Sequence, residues 1–142
     1  MGASDALENQ IITRLIDGNG YLVSPDTTYY MSLHTTDPGD TGTGELVAGS
    51  SPGYARKSYT TSGGWNAAAL GSTSNSGAIT FGAASGGDWA AANWFGIWNS
   101  AAGTSANFIL SGALTGAPII CTDGDAVQFL GGAPGALVIT VT

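Results

Sequence analysis

The chain shows two hydrophobic periodicities, a helical one near its N-terminus and an alternating one after it. Apolar residues recur at helical spacing in the first segment, at Leu7, Ile11, Ile12, Leu15 and Ile16. Ser4 or Asp5 is suited to cap the start of a helix there, and Gly18 is suited to end it. The pattern predicts a helix over residues 5–17, whose apolar stripe packs against this domain or a neighbouring protein.

After Gly20 the apolar residues alternate with polar ones, which is typical of strands with one buried face. From residue 28 to residue 35, one face carries Tyr29, Met31 and Leu33, and the other carries Tyr30, Ser32 and His34. Pro38 and Gly39 predict a turn directly after this strand, because proline fixes φ and glycine accepts positive φ.

Further short apolar runs, bounded by Gly, Pro, Asn, Asp or Ser, predict strands at residues 54–60, 77–81, 93–99, 106–114, 117–121, 126–130 and 136–142. Short strands at this spacing are typical of an antiparallel sandwich or barrel. We therefore expect a mainly β protein, with one jelly-roll-like antiparallel β-sandwich domain over residues 1–142. The short N-terminal α-helix and a turn occupy residues 1–20, and residues 63–77 are expected to form a long loop.

Charged residues are few and mostly acidic. They make up 9% of the 142 residues and give a net charge of −7, whereas about 25% is usual in a domain. This balance argues against a nucleic-acid partner, because phosphate binding depends on clustered Lys and Arg. No stretch approaches the roughly 18 apolar residues of a membrane span, and no secretory signal is visible at the N-terminus. We expect neither a membrane nor a nucleic acid as partner.

The residues that could carry chemistry lack the partners that each reaction needs. Residues 49–53 match the G-x-S-x-G pattern, but a strand pattern follows them where a nucleophile elbow has a helix, so we interpret them as a turn. His34, the single histidine, has no nucleophile or carboxylate that the sequence pairs with it. One histidine and one cysteine cannot form a zinc site, and the aspartates of residues 123–125 lack calcium-loop spacing. We expect no catalytic residue, metal or cofactor, and we expect Cys121 to be a small buried hydrophobe.

The strand predicted at residues 93–99 is apolar on both faces. Alternation places Phe95 and Ile97 on one face, and Trp94 and Trp98 on the other. A strand of this kind is central in a core or belongs to an interface. The candidate interface comprises Tyr30, His34, Trp94 and Trp98. One helix, about 10–12 Å wide, is too narrow to cover this face of two or three strands. A neighbouring subunit of a homotrimer is therefore expected to complete the cover.

Five short motifs occur in order along the chain: LHTTDP at 33–38, GYAR at 53–56, FGIWN at 95–99, LSGAL at 110–114 and GDAVQFLGGAPGAL at 124–137. Together they resemble a family of small bacteriophage virion proteins described as tail-fibre proteins. The chain departs from the family pattern at Trp98-Asn99, where Tyr-Asp is more common, and in the GGAP insertion before Gly135.

The resemblance implies a non-enzymatic structural protein, assembled in the host bacterial cytoplasm and present in several copies on the surface of the virion. Its partners would be further copies of itself and other virion proteins. A capsid decoration protein is one alternative, because related sandwich domains serve in that role. A carbohydrate-binding module for a host surface glycan is another, since Trp65, Trp89, Trp94 and Trp98 could stack on sugar rings. At least two exposed tryptophan rings in one groove would favour that alternative, and buried rings would count against it.

Overall fold

The structure is a computed structural model that describes residues 4, 7, 28–60, 65–67, 72–132 and 138–140. Its elements are β1 (Thr28–His34), β2 (Lys57–Thr60), β3 (Ser72–Ser74), β4 (Ile79–Thr80), β5 (Trp94–Trp98), the 3₁₀ turn η1 (Ser105–Asn107), β6 (Phe108–Ala113), β7 (Gln128–Phe129) and β8 (Val138–Thr140). These strands pair antiparallel, which confirms the prediction of a mainly β, antiparallel protein. The helix predicted over residues 5–17 lies outside the described residues, apart from Leu7.

A four-stranded sheet in the order β2-β1-β5-β6 organises the described residues. The alternation of β1 and β5 sets its register, since Met31 pairs with Ile97 and Leu33 pairs with Phe95 on one buried face. On β6, Gly112 lies opposite Phe95, where a Cβ atom would come within 2.6 Å of the Phe95 ring. The opposite face carries Tyr30, Ser32 and His34 against Trp98, Gly96 and Trp94.

Two small sheets, β3-β8 and β4-β7, complete the pairing, and one of them corrects a sequence prediction. β3 falls inside residues 63–77, which were expected to form a loop. Its sequence, Ser-Thr-Ser, has no apolar alternation, and it is a strand because it pairs with β8. The strand predicted at residues 117–121 is also wrong, because that segment forms an isolated bridge between Ile119 and Ala92 and a separate hydrogen bond from Trp89 to Cys121, without a continuous ladder. Pro118, which has no N–H group, cannot donate to a longer ladder there.

The buried face of the sheet joins a cluster of large side chains from the later part of the chain. Leu46, Tyr54, Phe81, Trp89 and Phe129 belong to the same buried cluster as Met31 and Phe95. The Tyr54 ring meets Trp89 edge-on with centroids 5.4 Å apart, an arrangement that contributes about 0.5–1.5 kcal/mol beyond the buried area. The Tyr54 hydroxyl also accepts the N–H of Leu33 at 3.0 Å. This hydrogen bond fastens the cluster to β1.

Ser4 anchors the beginning of the chain to the edge strand β6. Its N–H donates to the carbonyl of Ile109 at 3.1 Å, and its hydroxyl donates to the carbonyl of Phe108 at 2.6 Å. The same hydroxyl accepts the N–H of Leu7 at 3.3 Å, which is the contact expected of a residue that caps a helix. Ser4 is fully buried beside the sheet.

Candidate functional site

The four candidate interface residues lie together on one face of the four-stranded sheet, which we call the aromatic face. Pairing of β1 with β5 sets Tyr30 opposite Trp98, and His34 opposite Trp94. Tyr30 and Trp94 are half-buried, whereas His34 is 0% exposed and Trp98 is 3% exposed. Residues of the same chain therefore cover the centre of the aromatic face, and of these four side chains only Tyr30 and Trp94 reach its surface.

Three groups from distant parts of the chain cover Trp98. The Phe108 ring packs against it with centroids 4.7 Å apart. The guanidinium carbon of Arg56 lies 3.5 Å from the centre of the Trp98 ring. Gly42, with φ of 74°, lies so close that a Cβ atom would come within 2.6 Å of the indole carbon Cζ2. The loop that follows β1 thus folds back over the sheet, and it needs a glycine where it crosses the indole.

A chain of hydrogen bonds runs from Trp98 through Ser32 and His34 to the loop. The Nε1–H group of Trp98 donates to Ser32 Oγ at 2.6 Å, and Ser32 Oγ lies 2.7 Å from His34 Nε2. On the other side of the ring, His34 Nδ1 lies 2.8 Å from the carbonyl oxygen of Thr43. A carbonyl only accepts, so Nδ1 carries the proton, and in the neutral ring Nε2 accepts the Ser32 hydroxyl.

The environment of His34 favours its neutral form. Burial lowers the pKa of His34 below its ordinary value of 6.5, and the positive charge of Arg56 adds to this in a minor way. The hydrogen bond to Thr43 and the negative charge of Glu45 oppose the effect of burial without cancelling it. At neutral pH the hydrogen-bond chain is therefore made of uncharged groups, each with a partner.

Arg56 is fixed by a bidentate ion pair beside the aromatic face. Its Nε–H donates to Glu45 Oε1 at 2.9 Å, and its Nη2–H donates to Glu45 Oε2 at 2.7 Å. Its Nη1–H donates to the carbonyl of Ser100 at 2.9 Å. The Tyr54 hydroxyl donates to Glu45 at 3.1 Å. The network therefore links β1, the loop after it and the loop after β5, and it holds the guanidinium flat against Trp98.

Ser32 and His34 have the spacing of a nucleophile and its general base, which the sequence analysis did not anticipate. The alternation of β1 could have shown it, since residues two apart on a strand lie on the same face. A reacting serine must, however, be reached by its substrate, and both side chains are 0% exposed. The Ser32 oxygen also accepts from Trp98, and its own hydrogen bonds to His34 Nε2. This geometry orients the two side chains and covers the aromatic face, and it offers no access for a substrate.

The remaining sequence candidates hold turns and the core together. Ser51, the central residue of the G-x-S-x-G match, is buried and accepts the N–H of Ala90 at 3.1 Å. Asp37 accepts the N–H of Gly39 at 3.0 Å in the predicted turn, and Asp123 accepts that of Gly86 at 2.9 Å. Cys121 is buried, as predicted.

In the described part of the chain, no group of three or more His, Cys, Asp or Glu side chains is placed to hold a metal ion. No helix within the same residues has the length and hydrophobicity needed to span a bilayer.

A comparison with known protein families identifies the family of the chain. The family described as podophage GP4 fiber I protein gp80 matches residues 2–137. The chain belongs to that family. The match confirms the resemblance to phage tail-fibre proteins. By its family, the chain is a phage fibre structural protein and therefore a component of the virion. No protein with curated annotation matches it.

Three of the five motifs of the family resemblance meet in the network that joins β1, Arg56 and Trp98. Leu33 and His34 come from the first motif, Tyr54 and Arg56 from the second, and Trp98 from the third. They contact one another through the Tyr54–Leu33 hydrogen bond and the packing of Arg56 on Trp98. The motifs thus mark a structural network that fixes loops on the sheet.

The tryptophans do not form the exposed row that sugar stacking requires. Trp89 and Trp98 are buried. Trp94 lies on the aromatic face, whereas Trp65 lines a cavity of about 240 Å³ on the other face, together with Tyr29, Tyr59, Ile97, Ile109 and Leu110. The accessible wall of the cavity is apolar, and the hydroxyl of Thr73 is engaged by the carbonyl of Asn66. A wall of this kind is poorly suited to sugars, whose hydroxyl groups need convergent polar partners.

Proposed function

We propose that the chain is a non-enzymatic structural subunit of a phage fibre, present in several copies at the surface of the particle. The observation that carries this proposal is the match to a phage fibre protein family over residues 2–137. The low charge content supports it, because few Lys and Glu side chains would have to lose water where copies meet. Assembly would take place in the host bacterial cytoplasm, with further copies and other virion proteins as partners.

Tyr30 and Trp94 support the inference that copies associate through the aromatic face. Both side chains are half-buried in the isolated chain, and they flank a centre that Arg56, Gly42 and Phe108 cover. Aromatic side chains often dominate the binding energy of an interface. A trimer is the expected arrangement, because cyclic symmetry closes such contacts.

Copy number and position in the particle test the fibre assignment directly. The experiment is a quantitative gel of purified virions together with immunogold labelling. A fibre subunit gives a handful to a few dozen copies, with label at the tail. Hundreds of copies, with label over the head, would contradict this proposal and would indicate a capsid decoration protein. Specific binding of host glycans by the purified protein would favour the carbohydrate-binding alternative. The burial of Trp89 and Trp98 argues against that alternative.

The absence of enzymatic function is proposed from the inaccessibility of Ser32 and His34. We expect His34→Gln to leave any ester or glycan hydrolysis by the purified protein unchanged. The comparison requires that wild type and variant are equally folded, as judged by circular dichroism. A hydrolytic activity that this substitution abolishes would show that the pair is catalytic.

The fold proposed for residues 1–142 is a single β-sandwich domain with an N-terminal helix. Support comes from Ser4, which is held on β6 and accepts the N–H of Leu7 in the manner of a helix cap. Limited proteolysis of the purified protein tests it. One protected fragment that retains the N-terminal segment is expected, whereas early cleavage into two stable halves would contradict a single domain.

A further inference from the structure

His34 is a buried titratable group to which the fibre proposal assigns no role. The loop that follows β1 covers its ring. The ring is 0% exposed and hydrogen-bonds at both nitrogens, to Ser32 on its own strand and to Thr43 in the loop. Of the neighbouring elements, β5 and β6 supply Trp98, Gly96 and Phe108, which carry no charge. The loop supplies Glu45, and the segment before β2 supplies Arg56.

A proton on His34 would find no carboxylate free to pair with it. Glu45 is already engaged by Arg56 at 2.7 Å and by the Tyr54 hydroxyl at 3.1 Å. Ser32 could turn its hydrogen to the carbonyl of Gly96, 3.3 Å away, and accept from the charged ring. That change would satisfy the hydrogen bonds but would leave the charge buried and unpaired, which is costly. Exposure of the ring to water removes the cost.

The middle of the loop, residues 36–44, can open while both ends of the loop stay attached. The carbonyl of Thr35 accepts the side-chain N–H of Asn93 at 2.9 Å, and Glu45 is held by Arg56 and Tyr54. β5 is paired on both sides, with β1 and with β6, so its residues are held by two ladders. Between its ends, the loop is held by the Thr35 N–H to Gly44 carbonyl bond, by the hydrogen bonds of its own turn at Pro38, and by the contacts of Gly42 and Thr43 with Trp98 and His34. Segments with few paired backbone groups open locally before the rest of a protein unfolds.

We propose that residues 36–44 form an acid-sensitive flap: uptake of a proton by His34 unfolds this loop locally, so that it leaves the sheet and its turn opens, while the sheets stay folded. The released loop exposes His34 and Trp98 on the aromatic face. This inference rests on the described contacts and does not depend on the proposed fibre function.

The direction of the pH effect follows from the two states of the ring. With the flap closed, the pKa of His34 lies below 6.5, and with the flap open it returns to the ordinary value. The open state therefore binds more protons between those two values. The opening constant rises as the pH falls through this window, by up to about tenfold per pH unit, and it is constant below the window.

Hydrogen exchange of the full-length protein, measured by NMR at a series of pH values, tests the flap. Protection factors are compared for the amides of Gly42 and Thr43, which both donate to the carbonyl of Pro38, and for that of Phe81, which donates to Val127. The loop amides are expected to lose up to about tenfold protection per pH unit below pH 6.5, while Phe81 is unchanged. In His34→Gln the loop amides should show no such pH dependence.

The imidazole resonances of the wild type give a second test that needs no variant. His34 is the single histidine, so its signals require no separation from others. A titration midpoint below 6.5 that coincides with the loss of loop protection supports the flap. A midpoint at or above 6.5 overturns it. Loop protection that is unchanged across the midpoint, or an equal loss at Phe81, overturns it as well.

Discussion

The guanidinium carbon of Arg56 lies 3.5 Å from the centre of the Trp98 ring, and the same guanidinium forms a bidentate pair with Glu45. The Arg56 and Glu45 side chains are 10% and 17% exposed. A planar, delocalised cation satisfies both contacts at once, because it stacks on the indole while its edge meets the carboxylate. The planar shape of the Arg56 guanidinium is therefore as important as its charge for joining two loops to the aromatic face.

We expect Arg56→Lys to destabilise the protein although it keeps the charge. Lysine loses the bidentate geometry, the stacking on Trp98 and the hydrogen bond to Ser100, and we expect a cost of about 1–3 kcal/mol in the free energy of unfolding. Urea unfolding measures it. The reverse exchange at the neighbouring position, Lys57→Arg, is the control and should change stability by less than about 0.5 kcal/mol. Equal stabilities for Arg56→Lys and wild type would contradict this account of the site.

Gly96 is expected to tolerate no side chain. A Cβ atom at this position would lie 2.7 Å from Ser32 Oγ and 2.8 Å from His34 Nε2, so Gly96→Ala must displace the hydrogen-bonded pair. We expect a loss of about 1–3 kcal/mol, as for other insertions into packed interiors. Gly49→Ala is a matched control, because a Cβ atom there meets nothing within 4 Å. The two variants are compared by thermal unfolding, and equal melting temperatures would show that the pair adapts freely.

Alternation along the sequence was enough to predict the strands at the centre of the fold and the grouping of the aromatic face. Tyr30, His34, Trp94 and Trp98 share a face because residues two apart on paired strands must do so. What alternation could not predict is the cover of that face. The burial of His34 and Trp98 depends on the path of residues 35–45 and on the reach of Arg56 from another segment. These are long-range contacts that leave no periodic signal.

Two tyrosines, the buried Tyr54 and the half-buried Tyr59, predict a loss of stability at alkaline pH. Burial raises the pKa of Tyr54 and of Tyr59 well above the ordinary value of 10.0. In the folded protein both phenols keep their protons at pH values where the unfolded chain has lost them. The free energy of unfolding therefore falls as the pH rises above about 10, by up to about 1.4 kcal/mol per pH unit for each tyrosine.

Urea unfolding at increasing alkaline pH, in wild type and in Tyr54→Phe, checks this prediction. Tyr54→Phe should reduce the slope of stability against pH by the contribution of one phenol. It should also lower stability at neutral pH by about 1–3 kcal/mol, because the Leu33 N–H loses its acceptor. Full ionisation of both phenols in the folded protein near pH 10, seen by ultraviolet absorbance, would contradict their burial.

Substitutions of Trp94 and of Trp98 should affect self-association and folding to different degrees. Both lie on the aromatic face, but Trp98 is 3% exposed and Trp94 is half-buried. Trp98→Ala should cost about 3–5 kcal/mol of folding free energy, since it leaves a cavity beneath Arg56 and Phe108. Trp94→Ala should change the free energy of unfolding less and should weaken self-association more, because the exposed part of its ring is free to meet a second copy.

Light scattering at several protein concentrations, alongside urea unfolding of each variant, distinguishes the two effects. A wild-type protein that stays monomeric at high concentration, or a Trp94→Ala variant that assembles as the wild type does, would show that the aromatic face is not the contact between copies.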